Sequence, residues 1–116
     1  SANDNDDPVA ATIAAWTESS NSRDAWKMKG WALELAGVLP GDVLIVDANR
    51  RPRAGDIVCA QVTDWQSGQS DTVMRLYEPP YILTHSARLG ASRPEQVDDD
   101  RVVIRGVAVS VLRFRQ

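Results

Sequence analysis

Two short segments of this chain share one grammar. Gly41-Asp42-Val43-Leu44-Ile45-Val46 and Gly55-Asp56-Ile57-Val58-Cys59-Ala60 each set a glycine and an aspartate ahead of an apolar run. Glycine accepts the positive φ that tight turns need, and an aspartate beside it caps nearby backbone amides. The apolar run that follows suits a pleated, buried surface. Each unit therefore predicts a turn that feeds a buried strand. Pro40-Gly41 fits the centre of a type II turn, because proline presets the first φ and glycine takes the positive second one. Asp42 and Asp56 invite a reading as a catalytic pair, but turn capping is the commoner role at a strand start. The separation of 41 and 55 reads as two strands with the same turn chemistry rather than as a repeat array.

The rest of the chain carries the same signals at short spacing. A strand is expected over 25–29, with Trp26 and Met28 on one face and Lys27 and Lys29 on the other. Ala32 to Ala36 reads as a helical turn capped by Gly37 in a left-handed conformation. Ile57–Thr63 and Thr72–Tyr77 form a hairpin around a polar loop at 64–71, and Tyr81–Thr84 follows the Pro79-Pro80 break. Leu89 to Asp100 is polar and irregular. Arg101 to Phe114 reads as a long strand pair hinged at Gly106. Val9 to Trp16, Ala-rich with Ile13 and Trp16 three apart, is a short helix or an arm that packs on the core. The expected fold is mainly β, a bent and partly closed antiparallel sheet with little helix. Residues 1–24 form a linker or N-terminal arm, and 25–116 form the domain.

Composition narrows the function. At 116 residues the chain supports one domain with its own core. Thirteen Lys+Arg against sixteen Asp+Glu leave a net charge of -3, which is not the electrostatic footprint of a nucleic-acid-binding domain. The single cysteine, Cys59, lies in an apolar run and fits a buried thiol in a reducing cytosol, so a cytoplasmic location is expected. No apolar stretch approaches the roughly 18 residues of a membrane span. The acidic run Asp4-Asn5-Asp6-Asp7 lacks the spacing of a calcium loop, and His85 has no second histidine with which to share a metal. Neither a metal nor a cofactor is expected.

The order of the motifs is more specific than any one of them. Gly30-Trp31-Ala32-Leu33, Gly37-Val38-Leu39-Pro40-Gly41-Asp42, the second Gly-Asp unit, Thr72-Val73-Met74-Arg75-Leu76 and the ending Ile104 to Arg113 follow one another. Over residues 25–113 this resembles the C-terminal, self-cleaving domain of LexA and lambda-type phage repressors, whose architecture signal peptidases share. The resemblance implies a nucleophilic serine at the position of Ala32 and a general-base lysine at that of Met74. A Ser-Lys dyad needs a hydroxyl to attack and a neutral amine to take its proton, and neither residue here supplies one. The Ala-Gly or Cys-Gly bond that the family cleaves is not found before Gly30. Two simultaneous replacements, with Trp31 beside one of them, favour natural divergence over an engineered inactivation.

The resemblance thus implies a degenerate peptidase rather than an enzyme. It becomes the dimerisation and assembly domain of a transcription regulator, with DNA bound by an N-terminal helix-turn-helix domain outside this chain. The expected partner is a second copy, joined along the terminal strand through Val107, Val109, Ser110, Val111 and Phe114. Alternation places Val107, Val109 and Val111 on one face of that strand. An alternative is a sensor that keeps the former substrate cleft for a small molecule or peptide, lined by Trp31 and Met74. Against it stands the simpler expectation that these side chains fill the vacated space. A hydrolase built on other residues, such as Ser86 beside His85 or Ser110, is disfavoured, since neighbours along a strand point to opposite faces.

Overall fold

The computed structural model describes residues 8–18, 22–89 and 94–114. Both Gly-Asp units form turns of the same shape. The Asp42 amide donates to the Leu39 carbonyl and the Asp56 amide to the Arg53 carbonyl, each at 3.0 Å. Gly41 and Gly55 sit at φ 93° and 88°, the positive values that the third position of a type II turn requires. Each turn launches a strand: β2 at Val43–Asp47, buried along its whole length, and β3 at Ile57–Thr63.

Around these two strands the chain lays down β1 (Arg23–Lys27), β4 (Ser70–Glu78), β5 (Tyr81–Leu83), β6 (Glu95–Gln96) and β7 (Val102–Leu112). Among the described residues the result is one seven-stranded antiparallel sheet in the order β1-β2-β7-β3-β4-β5-β6, with one α-helix, α1, at Pro8–Glu18. β7 holds the sheet together by changing partners midway. Its first half, through Val107, pairs with β3, and its second half, from Val107 to Leu112, pairs with β2.

The sheet is covered on both faces. One face carries a cluster built from Met28, Ala32, Leu33, Val38, Leu44, Val46, Cys59 and Met74, closed by the loop between β1 and β2. The opposite face carries Val58, Ala60, Ile82, Val102 and Val107. Residues paired across β1 and β2 share a face, so Ala25, Lys27, Val43 and Ile45 also lie on this second side. Here α1 packs against β1 and β2.

Several expectations change. The strand expected over 25–29 runs instead from Arg23 to Lys27, and Met28 is buried just beyond it. Trp26 does share the side of Met28, but it is 40% exposed because β1 is an edge strand. The 64–71 loop is shorter than expected, since the β3–β4 ladder continues to Thr63↔Ser70. A two-residue strand, β6, occupies part of the stretch expected to be irregular. Gly106 is no hinge, because β7 continues through it unbroken. A Cβ there would lie 2.6 Å from Val46 Cγ1 and 3.1 Å from the Asp47 carbonyl oxygen, so the glycine permits close approach of β2.

The largest departure concerns side-chain direction along β7. Val109 has no partner in β2, because the register jumps from Ile45↔Ser110 to Val46↔Ala108. A second shift leaves Arg105 unpaired opposite Cys59 and Ala60. Each bulge inserts one residue and reverses the alternation beyond it. Val107 therefore pairs with Asp47 and Val111 with Leu44, on opposite faces, rather than sharing one face as expected.

Candidate functional site

The region that sequence singled out begins where β1 ends. From Gly30 the chain tightens into a 3₁₀ turn at Glu34–Ala36, and Gly37 closes it at φ 88° with its amide donating to the Glu34 carbonyl. This is the helical turn and left-handed cap expected from sequence. The Val38 amide donates back to the Leu33 carbonyl at 3.1 Å, which holds the apolar Leu33 and Val38, both fully buried, against the sheet.

A second segment clamps the turn from outside. Leaving β5, the His85 amide donates to the Ala32 carbonyl at 2.7 Å, and the Leu35 amide donates to the His85 carbonyl at 3.0 Å. Ser86 Oγ and the Arg88 amide both donate to Glu34 Oε1, at 2.8 and 2.7 Å. Arg88 Nε lies 3.3 Å from Glu34 Oε2, and its guanidinium stands 3.9 Å above the Trp31 ring. The Arg88 amide bond foremost, with help from Ser86 and the Arg88 charge, holds the Glu34 carboxyl below the usual glutamate range. A carboxylate so stabilised is a weak base, and the Ser86 hydroxyl is already spent on it and on the Leu89 amide. The geometry makes Ser86 a brace for the turn.

Ala32 and Met74 come together. Both belong to the cluster beneath the turn, at 7% and 8% exposure. Cys59 pairs directly with Met74 across the β3–β4 ladder, and burial pushes its thiol above the ordinary cysteine range, so it stays protonated and inert. The cluster contains a methyl group, thioethers, a thiol and aliphatic chains. Trp31 behaves differently: at 38% exposure it lies on the rim beneath Arg88. Neither it nor Met74 lines the groove of about 630 Å³ on the opposite face or the pocket of about 390 Å³ at the β3–β4 loop. Of the two residues expected to line a cleft, Trp31 is partly exposed and Met74 is buried in the cluster.

An ion pair with a buried carboxylate and a half-exposed arginine stands beside the turn. Asp42 is 2% exposed, and its carboxylate accepts from the Leu39 amide at 2.9 Å, from Arg113 Nε at 2.9 Å and from Arg113 Nη2 at 2.7 Å. The same Nη2 reaches the Gly37 carbonyl at 3.0 Å, so Arg113 ties the end of β7 to the cap of the 3₁₀ turn. These bonds, those from Arg113 first, hold the Asp42 carboxyl below the usual aspartate range although burial opposes them. Asp42 is thus a turn cap, as expected, with a partner that sequence gave no sign of.

The residues expected at a dimer contact are distributed unevenly. Val107, at 2% exposure, is committed to the core. Val109 is the bulged residue, Ser110 pairs with Ile45, and Val111 is 40% exposed. Phe114 lies beyond the strand at the mouth of the 630 Å³ groove. β3 pairs with β7 only as far as Val107. The flank of Ala108–Leu112 that faces away from β2 therefore carries no strand partner among the described residues.

Among the described residues no group of histidine, cysteine and acidic side chains could hold a metal ion. No described helix is long and apolar enough to cross a membrane. A protein-family model described as Peptidase S24-like matches residues 3–109, nearly the whole chain. A search of the curated proteins returns no match.

Proposed function

The chain belongs to the Peptidase S24-like family, and from that premise we propose that it is a member without catalysis, the dimerisation and assembly domain of a helix-turn-helix transcription regulator. The family's fold is that of a self-cleaving peptidase and includes the C-terminal domains of LexA and phage repressors. The observation that carries the reading is the chemistry of one buried cluster. At the positions where the resemblance expects a serine and a lysine stand Ala32 and Met74, packed among aliphatic side chains. A dyad acts as a unit, and loss of both members removes nucleophile and base together.

The proposed assembly is a homodimer along β7. The unpartnered flank of Ala108–Leu112 and the exposed Val111 support it, since an apolar open edge invites pairing. A two-fold pair suits a protein that presents two DNA-binding domains to a palindromic site. DNA contact belongs to an N-terminal domain outside this sequence. The alternative of a sensor that uses the former cleft has less support, because Ala32 and Met74 are both nearly sealed.

Incubation at high pH followed by intact-mass measurement tests the catalytic part. In this family alkali deprotonates the lysine and drives cleavage, whereas Met74 has no proton to lose. The protein is expected to stay whole, and one specific internal cut would overturn the reading. Light scattering over a dilution series tests the assembly. Dimers are expected, and Val111→Lys should weaken them by setting like charges near the two-fold. A monomer at high micromolar concentration would defeat the dimer.

A further inference from the structure

The groove of about 630 Å³ lies on the face away from Ala32 and Met74, between α1 and the strand ends of β1, β2 and β7. Its volume is within the range of small-molecule sites. Val9 and Ile13 of α1 line it on one side, and Val43, the Leu39-Pro40 turn and Phe114 line it from the sheet and its loops. Three ionisable residues are among its lining: Lys27, Asp42 and Arg113. Asp42 and Arg113 neutralise one another in a bidentate pair, and the carboxylate also accepts from the Leu39 amide. Lys27 has no hydrogen bond or ion pair from its side chain among the described residues, and it is exposed. Among the described residues the slot therefore presents a largely apolar body and one positive charge without an ion-pair partner, in a chain whose net charge is -3.

We propose that this groove binds an apolar monocarboxylate, with the ligand's carboxylate on Lys27 and its hydrocarbon body between α1 and the Leu39–Val43 segment. Charge selects the class. A neutral apolar ligand would leave the lysine unused, and a cationic one would face repulsion from it. A multiply charged phosphate would find, among the described residues, a single unpaired cation and an otherwise largely apolar wall, a poor exchange for its hydration. A charge-assisted hydrogen bond at the mouth supplies orientation, and the buried chain supplies most of the affinity. Because Val9 and Ile13 are part of the wall, the ligand would also fasten α1 to the sheet. The inference does not depend on the loss of the dyad.

The test uses the whole chain, isotope-labelled for amide NMR, titrated with decanoate, decanol and decyltrimethylammonium below their micelle concentrations. Decanoate is expected to bind most tightly, shifting amides of residues 9–13, 25–27, 39–43 and 113–114. It should slow hydrogen exchange across α1. Lys27→Gln and Lys27→Glu, both at an exposed strand position, should weaken decanoate about tenfold or more and leave decanol unchanged, as loss of one charge-assisted contact predicts. Equal binding of decanoate and decanol would overturn the proposal, as would Lys27 variants that bind like the native chain. So would no binding up to the solubility limit, or shifts confined to the Met74 face. Signals of residues 9–13 and 25–27, which lie away from the proposed β7 dimer contact, that move on protein dilution without ligand would assign the groove to a second copy and equally overturn it.

Discussion

The turns at Gly41-Asp42 and Gly55-Asp56 are locally almost the same object. Their glycines differ by a few degrees of φ, and each aspartate caps an amide three residues back, Leu39 at 2.9 Å and Arg53 at 2.8 Å. Their surroundings are not the same. Asp42 is buried beneath Arg113, which arrives from the far end of the chain. Asp56 stays partly exposed, and its turn gains only a backbone pairing with Tyr77. One sequence signal therefore makes an ordinary strand start in one place and the anchor of the molecule's last strand in the other. Local chemistry sets the shape, and what arrives over it sets the energy.

This contrast can be broken by substitution. The largest effect is expected from Asp42→Ala, which removes the cap of the Leu39 amide and strands Arg113 at once. By the usual cost of a lost buried hydrogen-bond network, about 2–3 kcal/mol of stability should disappear in urea unfolding. A loss equal to that of Asp56→Ala would erase the distinction between the turns.

Arg113→Ala comes next, with a smaller loss than Asp42→Ala, because the side chain removed is half exposed while the carboxylate left behind is buried. Its signature is in the pH dependence. The folded carboxyl of Asp42 lies below the ordinary aspartate range, so its contribution is present above about pH 4 and is lost as pH falls through the folded value. The native protein should lose this stability in acid. Arg113→Ala should flatten the slope, and an unchanged acid limb would show that the pair is not its source.

Gly41→Ala and Gly55→Ala sharpen the comparison from the other side. Open space surrounds both glycines, and both have positive φ, so each alanine meets backbone strain alone. About 1 kcal/mol is expected at each, by the left-handed penalty for a residue with a Cβ. Clearly unequal costs would mean that the turns differ in shape and not only in surroundings. The smallest change is expected from Asp56→Ala, about 0.5–1 kcal/mol for an exposed cap.

Much of the fold was legible in residues that act on their immediate neighbours. Gly37, Gly41 and Gly55 need positive φ wherever they stand, and the apolar runs after the two aspartates needed burial, so turns and strands followed in order. The family was legible too, since it is written in the succession of those same turns. As residue types, Ala32 and Met74 have no acid–base chemistry in any fold. The bulges at Arg105 and Val109 were not, because they depend on how β7 shares itself between β2 and β3. Without them the alternation placed Val107 and Val111 on one face, and the structure separates them.

The sequence by itself determined where the chain turns, which runs must be buried and which side chains can do chemistry, because each of these rests on a few adjacent residues. Only the tertiary structure decided that Arg113 closes over Asp42, that Ser86 and Arg88 clamp Glu34 while Arg88 covers Trp31, and that α1 lies across the face opposite Met74. Those contacts join residues tens of positions apart. No local preference encodes such pairings, and they appear only once the sheet has fixed which distant segments meet.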